Sequence, residues 1–346
     1  MIEGLDSVLA DSDQPGLAEL RHALRELLGG PDASGRLIHQ QAIKDRVCRL
    51  RFEVDGHVHG LVVKRLSPLR AKLNLLVAER WLPAIGLGES CPRVLGTAAE
   101  RTGHAAWQVY EDLGDAMLDA REPDPQRVRL VVELIAQLHT RFTDHVLLAE
   151  CRLHGDLGMY FYTSSVRDAI RGLEALRPPE VEMSPEQRTV RDRLLERMYQ
   201  LLDEQPRRAH AMAELGGPET FLHGDLWTIN AFVLSGPHGL RARLIDWDHA
   251  GVGPASYDLS TFLLRFAPQH RLWIVDLYRE AVGPGGWRVP SARHLNLLFD
   301  TAERARRANH VIWPAIAFLQ DRADWALDRL KEVDRWFEVL QPVLLA

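Results

Sequence analysis

The sequence predicts an α+β chain: a small antiparallel β-sheet first, then a larger, mainly helical region with one embedded β-hairpin. Three observations point there. Val47 to Val54 alternates with period two, which places Cys48, Leu50, Phe52 and Val54 on one face. Beyond about residue 125 the apolar residues recur at helical offsets instead. Within that helical stretch, two short apolar runs over Ala231 to Ile245 flank Ser235-Gly236-Pro237-His238-Gly239, a turn composition.

In chain order, Leu17 to Leu28 has a helical apolar pattern stopped by Gly29-Gly30-Pro31. Asp55-Gly56 is a hairpin turn, and Val58 to Leu66 reads as the returning strand. A helix follows from about Leu69 to Leu82. Cys91 to Leu95 and Ala105 to Tyr110 read as two more strands, so residues 36 to 111 form a sheet with one inserted helix. Val128, Val131, Val132, Ile135, Leu138 and Phe142 fall on one stripe of the next helix, with His139 packed among them. Ser184-Pro185-Glu186-Gln187 is a capping box with proline at the first helical position, and it opens a helix presenting Val190, Leu194, Met198 and Leu201. Leu330, Val333, Phe337 and Leu340 repeat the helical pattern near the end. Trp313, Trp325 and Trp336 read as core residues, and Arg304-Ala305-Arg306-Arg307 as a solvated face.

The 346 residues are enough for a sizeable core. Forty-two basic against 48 acidic residues leave a net charge of −6, which disfavours general nucleic-acid binding. Three cysteines without CxxC or CxxH spacing make neither a disulfide framework nor a zinc set. The acidic start lacks the order of a signal peptide, and no apolar run reaches the roughly 18–20 residues of a membrane span. A soluble, cytoplasmic protein without membrane partners is expected. Lys44, Lys64, Lys72 and Lys331 are the only lysines, so each is an exception in an arginine-writing chain.

The densest polar cluster brackets the hairpin: His223-Gly224-Asp225-Leu226-Trp227-Thr228-Ile229-Asn230 before it and Ile245-Asp246-Trp247-Asp248 after it. A hairpin brings its two ends together, so these acids and the amide can converge. Asp and Asn oxygens suit Mg²⁺, which keeps one or two protein ligands and takes phosphate oxygens for the rest. A further carboxylate free of metal could orient and deprotonate a hydroxyl. That is equipment for phosphoryl transfer from a nucleotide. Asp225-Leu226-x-x-x-Asn230 has the register of the protein-kinase catalytic loop, and Asp246 stands where a DFG-type metal aspartate belongs.

With these residues the chain resembles the aminoglycoside phosphotransferase and choline-kinase-like small-molecule kinases, whose signature is H-G-D-x-x-x-x-N followed by I-D-[W/F]-[D/E]. Ala250-Gly251-Val252-Gly253-Pro254 and Tyr257-Asp258-Leu259 continue the match, which is densest over residues 221–262. The resemblance implies a bilobal protein-kinase-like fold, with a nucleotide-binding N-lobe over 1–112 and a helical C-lobe over 113–346. It implies Asp225 as the catalytic base, His223 as a brace of the loop and Asp258 as its anchor. Asn230 and Asp246 would hold Mg²⁺. Lys64, at the end of Val62-Val63-Lys64, would meet the nucleotide phosphates. Glu79, the only carboxylate between Lys64 and Ile85, is the candidate ion-pair partner. Tyr110 and Glu111 would belong to the hinge beside the adenine. ATP is the expected nucleotide, with GTP the alternative, and the protein is expected to be a monomer or homodimer. No G-x-G-x-x-G lies between the first two strands; Gln40 to Arg46 stands there. Asp248 has a counterpart that is commonly acidic in these families, and its role stays open between that of the family's acid and a solvated or structural one.

A second His-Gly-Asp-Leu stands at residues 154–157 but lacks the following Asn and the Ile-Asp-Trp-Asp, so Asp156 reads as structural or substrate-proximal. The expected activity is transfer of the γ-phosphate to a hydroxyl of a small molecule, an aminoglycoside-type antibiotic or a related amino alcohol or sugar. The alternative is a catalytically inactive kinase-fold module for nucleotide binding or interaction. Residues 114–220 hold 19 acidic against 14 basic side chains, an imbalance that would suit a cationic acceptor, while 221–346 are balanced at 14 each.

Overall fold

The computed structural model describes residues 2–10, 13–30, 32–177, 181–237 and 239–345; Pro31 of the expected helix stop and His238 of the hairpin turn lie outside these. The chain divides into two compact units, 1–118 with 228–249, and 119–227 with 250–346. The hairpin that the sequence assigned to the helical part therefore groups with the sheet.

In the first unit β1 (Ile2–Glu3), β2 (Gly35–Lys44), β3 (Val47–Val54), β4 (His57–Leu66), β5 (Val94–Ala99) and β6 (Ala106–Glu111) make one sheet in the order β1-β2-β3-β4-β6-β5. β1 runs parallel to β2 and every other pair is antiparallel. Asp55 and Gly56 take φ of 47° and 78°, the left-handed pair that a two-residue turn between right-twisted strands requires. The alternation of β3 is met in full: Cys48, Leu50, Phe52 and Val54 are buried in a cluster with Val63, Trp107 and Val109. Leu20 and Leu24 of the Leu17–Leu27 helix pack into the same cluster. Burial of each large apolar side chain contributes about 1.5–3 kcal/mol.

The inserted helix starts at Pro68 and holds α geometry only to Leu76; a π-helical turn over Val77–Trp81 and a last turn at Leu82–Ala84 follow. It is tied to the sheet by the wholly buried Gln108, whose amide donates to Ala71 O at 2.9 Å. The hairpin Ala231–Gly236 with Gly239–Leu244 is closed at its open end by Ile245 N donating to Asn230 O at 2.9 Å. Leu118 N to Ala231 O and Val233 N to Ala116 O join it to the chain leaving β6.

The second unit is helical, with Pro125–Phe142, Met159–Ala175, Pro185–Leu215, Ser256–Leu263, Pro268–Val282, Ala292–Asp321 and Asp324–Val339 its principal helices. Ser184 forms the expected capping box, Oγ accepting from Gln187 N and Gln187 Oε1 from Ser184 N. Two readings of this region are corrected. Trp313 and Trp325 are 63% and 49% exposed rather than core. Arg306 is not solvated: its guanidinium binds Glu303, Ser260 Oγ and the Tyr257 carbonyl, and it stacks 3.8 Å over the Tyr257 ring. The Ala292–Asp321 helix packs against both Met159–Ala175 and Ser256–Leu263, so two of its faces are covered.

Two short strands, Glu219–Leu222 and Gly251–Pro254, pair antiparallel in this unit. The second His-Gly-Asp-Leu lies against the latter, through Val252 N to Gly155 O and Leu157 N to Val252 O. A Cβ on Gly251 would fall 2.6 Å from Gly155 O, so only glycine permits this approach. Asp156 accepts from Gly158 N and from Arg152, which reaches on to Glu219. Its bonds are structural.

Candidate active site

The first unit contains a cleft of about 450 Å³, within the usual range of ligand sites. Lys64, Tyr110, Glu111, Asn230 and Asp246 line it, together with Val62, Asp112 to Asp115 and Ile245. Five of the residues singled out in the sequence thus share one wall system. Lys64 sits in the middle of the sheet, opposite Val47 and Gln108, because β4 is flanked by β3 and β6. Asn230 ends a 3₁₀ turn and Asp246 follows the second hairpin strand, so the hairpin brings the two together. Asp246 has φ of 67°, a left-handed conformation that Asp tolerates better than most residues.

The ammonium of Lys64 donates to Asp246 Oδ1 at 2.7 Å and to Asp248 Oδ2 at 2.9 Å. Glu79 is not its partner. That residue is exposed on the π-helical turn, a turn beyond the part of the helix that reaches the site. The helix residue facing the site is Asn74, buried, which donates to Asp248 Oδ1 at 2.8 Å and to Arg70 O at 2.9 Å. Asp248 therefore links Lys64 to the helix, a structural answer to the role left open. A sequence signal for Asn74 existed: it is an amide on the same stripe as Ala71 and Val77.

The wall opposite is built by Arg49. It bonds Asp115 Oδ1 at 2.7 Å and Gly114 O at 2.8 Å, and lies 3.1 Å from Asp112 Oδ1. Glu111 accepts from Arg93 N and from Arg243, which fixes its carboxylate between β5 and the hairpin. The Tyr110 hydroxyl donates to Gln108 Oε1 at 2.5 Å. Desolvation, with the charges of Asp248 and Asp246, pushes its phenol well above the usual value.

The remaining residues belong to the second unit. Asp225 follows the Glu219–Leu222 strand, and Gly224 before it takes φ of 82°. Its loop is anchored on Asp258, wholly buried in the first turn of Ser256–Leu263. Asp258 accepts from His223 N at 2.7 Å through Oδ2 and from Gly224 N at 2.9 Å through Oδ1. His139 Nε2 lies 3.4 Å from the same carboxylate, and its Nδ1 is 2.9 Å from the Tyr278 hydroxyl. Burial raises the Asp258 pKa, but the His139 hydrogen bond, the nearby imidazoles and the Gly224 N–H outweigh it and hold the carboxyl below its ordinary value. His223 Nδ1 accepts from Asp225 N at 3.3 Å, which braces the turn from inside. His139 was legible as a packed helix residue; its part in this network was not.

Among the described residues no group of three or more His, Cys, Asp or Glu side chains could hold a metal unaided. Asn230 and Asp246 offer two hard oxygens on one cleft wall, a donor set that fits Mg²⁺ only when phosphate oxygens complete it.

A family of phosphotransferases is defined by this fold and motif set. The chain belongs to the phosphotransferase enzyme family, whose model matches residues 49–293. Its structural relatives are small-molecule kinases. Spectinomycin phosphotransferase, solved with ADP and spectinomycin, is 11% identical with a TM-score of 0.55, covering 90% of both chains. An ethanolamine kinase of Plasmodium vivax is 12% identical with a TM-score of 0.56, covering 87% of this chain and 81% of its own. A choline kinase of Cryptosporidium parvum is 13% identical with a TM-score of 0.53, covering 88% and 89%. At these identities the likeness establishes the protein-kinase-like α+β fold. No curated protein sequence matches. No helix among the described residues is long and apolar enough to cross a membrane.

Proposed function

We propose that this chain is a Mg²⁺-dependent kinase that moves the γ-phosphate of ATP to a hydroxyl of a small molecule. The observation that supports it most is one cleft lined by Lys64, Asn230 and Asp246 beside the backbone of residues 110–115. In this reading the backbone of that stretch meets the adenine, and Lys64 leaves its two carboxylates to contact phosphate oxygens. Asn230 and Asp246 would hold Mg²⁺, which supplies charge neutralisation on the phosphates.

Asp225 accepts the proton of the acceptor hydroxyl. The acceptor oxygen forms the new P–O bond while the bond from the γ-phosphorus to the β,γ-bridging oxygen breaks, and ADP departs. His223 and Asp258 hold the Asp225 backbone in place for this step; they are positioning residues. Calorimetric titration with ATP, with and without Mg²⁺, tests the reading. Binding that needs Mg²⁺ and is lost in Asp246→Ala is expected; equal binding by Asp246→Ala would remove Asp246 from the nucleotide site.

A further inference from the structure

The loop that presents Asp225 is anchored on Asp258 from one side and carries an arginine on the ring of Trp227. Arg265, just past the end of Ser256–Leu263, lays its guanidinium 3.9 Å over the ring of Trp227. Trp227 is two residues after Asp225, and its N–H donates to Asp225 O at 2.9 Å. Arg265 is near enough for the Asp225 charge to act on it. Arg307 stacks 4.4 Å over Trp336 and lies within electrostatic range of Arg265.

Opposite charge reaches this pair only from a distance. Glu303, whose charge reaches both arginines, is bound to Arg306 and Ser260, and Asp300 one turn before it to Arg208 and Arg304. Arg329 is paired with Glu332, and Arg271 with the Phe266 and Val343 carbonyls. Among the described residues neither Arg265 nor Arg307 has a carboxylate within ion-pair distance, and the Nε of each is buried with no hydrogen-bond partner. Burial lowers the pKa of both; neighbouring guanidiniums add to this, and the opposing charges of Glu303 and, for Arg265, Asp225 do not offset it. Two partly buried cations in mutual range, with Glu303 and Asp225 acting on them without direct contact, are costly. The helix C-terminus beside Arg265 offers only a fraction of a charge. Planar guanidiniums fixed on aromatic rings present their remaining N–H groups in the fork that carboxylates and phosphates fit.

We propose that the acceptor carries an anionic group, a carboxylate or a phosphate ester, besides the hydroxyl that is phosphorylated, and that Arg265 and Arg307 receive it. This rests on the kinase reading above and names its substrate class. It reverses the cationic acceptor that the acidic balance of residues 114–220 suggested; that imbalance is a property of sequence, and the Arg265 guanidinium beside the Asp225 loop is a property of the fold.

The test has a binding arm and a transfer arm. L-malate and glycerol 3-phosphate, the one with a hydroxyl and carboxylates, the other with hydroxyls and a phosphate ester, are added to the full chain at constant ionic strength and the melting temperature is read against chloride. At least one should stabilise the wild type and Lys64→Ala alike, and lose the effect in Arg265→Gln and Arg307→Gln. Which one acts separates carboxylate from phosphate ester. Stabilisation that survives both arginine variants, or is absent from the wild type, overturns the proposal.

In the transfer arm, label from γ-labelled ATP is followed into hydroxy acids and sugar phosphates, and separately into aminoglycosides, amino alcohols and neutral sugars. Label in the first set, with KM raised roughly ten- to hundredfold by Arg265→Gln and kcat less affected, is expected. Label confined to the second set overturns the anionic acceptor and leaves the kinase standing. Arginine-dependent stabilisation without nucleotide binding or transfer to either set would defeat the kinase reading and leave the anion site in place.

Discussion

Lys64 Nζ lies 2.7 Å from Asp246 Oδ1, although 182 residues separate them in the chain. The same ammonium is 2.9 Å from Asp248 Oδ2, so one cation gathers the end of the hairpin and, through Asn74, the Pro68–Leu76 helix. This is an arrangement for a compact point charge. Lys64→Ala should lower kcat/KM by about 10²–10³, the size of loss typical for a charge-stabilising group. Lys64→Arg should recover little, because the planar fork does not fit between two carboxylates set for an ammonium. Steady-state kinetics with varied ATP decide it; full activity of Lys64→Ala would remove the residue from the site.

Asn74 and Glu79 make opposite predictions. Asn74→Ala strips one donor from the partly buried Asp248 carboxylate and should destabilise the protein by about 1–3 kcal/mol while raising the KM for ATP. Glu79→Gln alters an exposed side chain and should stay within about 0.5 kcal/mol with unchanged kinetics. Denaturant melts and ATP kinetics of the two variants check this. A large kinetic loss in Glu79→Gln alone would reverse the assignment.

Asp258 ties a stability effect to pH. Its folded pKa lies below the unfolded value, so its contribution is complete above the ordinary carboxylate pKa of ~3.9 and disappears as pH falls through the lower folded value. Asp258→Asn should therefore melt below wild type at neutral pH, and the gap should close at strongly acidic pH. Its kcat should fall by about 10², because misplacement of the Asp225 loop is enough for that. A gap that widens with acidification would contradict the direction given to Asp258.

The second His-Gly-Asp-Leu should behave as scaffold. Asp156→Ala loses bonds to Arg152 and Gly158 N and should lower the melting temperature while leaving kcat/KM within about twofold. Gly251→Ala should cost more, about 1–3 kcal/mol or above, because its Cβ would meet backbone and not a flexible side chain. Parallel melts and kinetics separate the two; a kinetic loss in Asp156→Ala without a stability loss would make it a substrate residue.

What the sequence told depended on range. Period-two alternation over Val47 to Val54, the Asp55-Gly56 turn and the Ser184 capping box are local, and each appears where its residues dictate. Asn230 and Asp246 share a cleft because their spacing straddles a hairpin, a local element that closes on itself. The misses are contacts of long sequence separation. Asn74 meets Asp248 from 174 residues away and His139 meets Asp258 from 119, and no periodicity announces such pairs. The Glu79 reading failed because the inserted helix leaves α geometry at Val77. Arg306 was read as solvated because its own helix is amphipathic by charge, whereas the Ser256–Leu263 helix that covers it lies 46 residues upstream at Ser260.

The most direct test of the account is transfer from γ-labelled ATP to an accepted hydroxyl compound, with wild type and Asp225→Ala side by side and ATP binding measured on both. The account predicts Mg²⁺-dependent labelling by the wild type, a fall of at least about 10³ in Asp225→Ala, and nucleotide affinity unchanged within about threefold. Labelling by Asp225→Ala at the wild-type rate would contradict it.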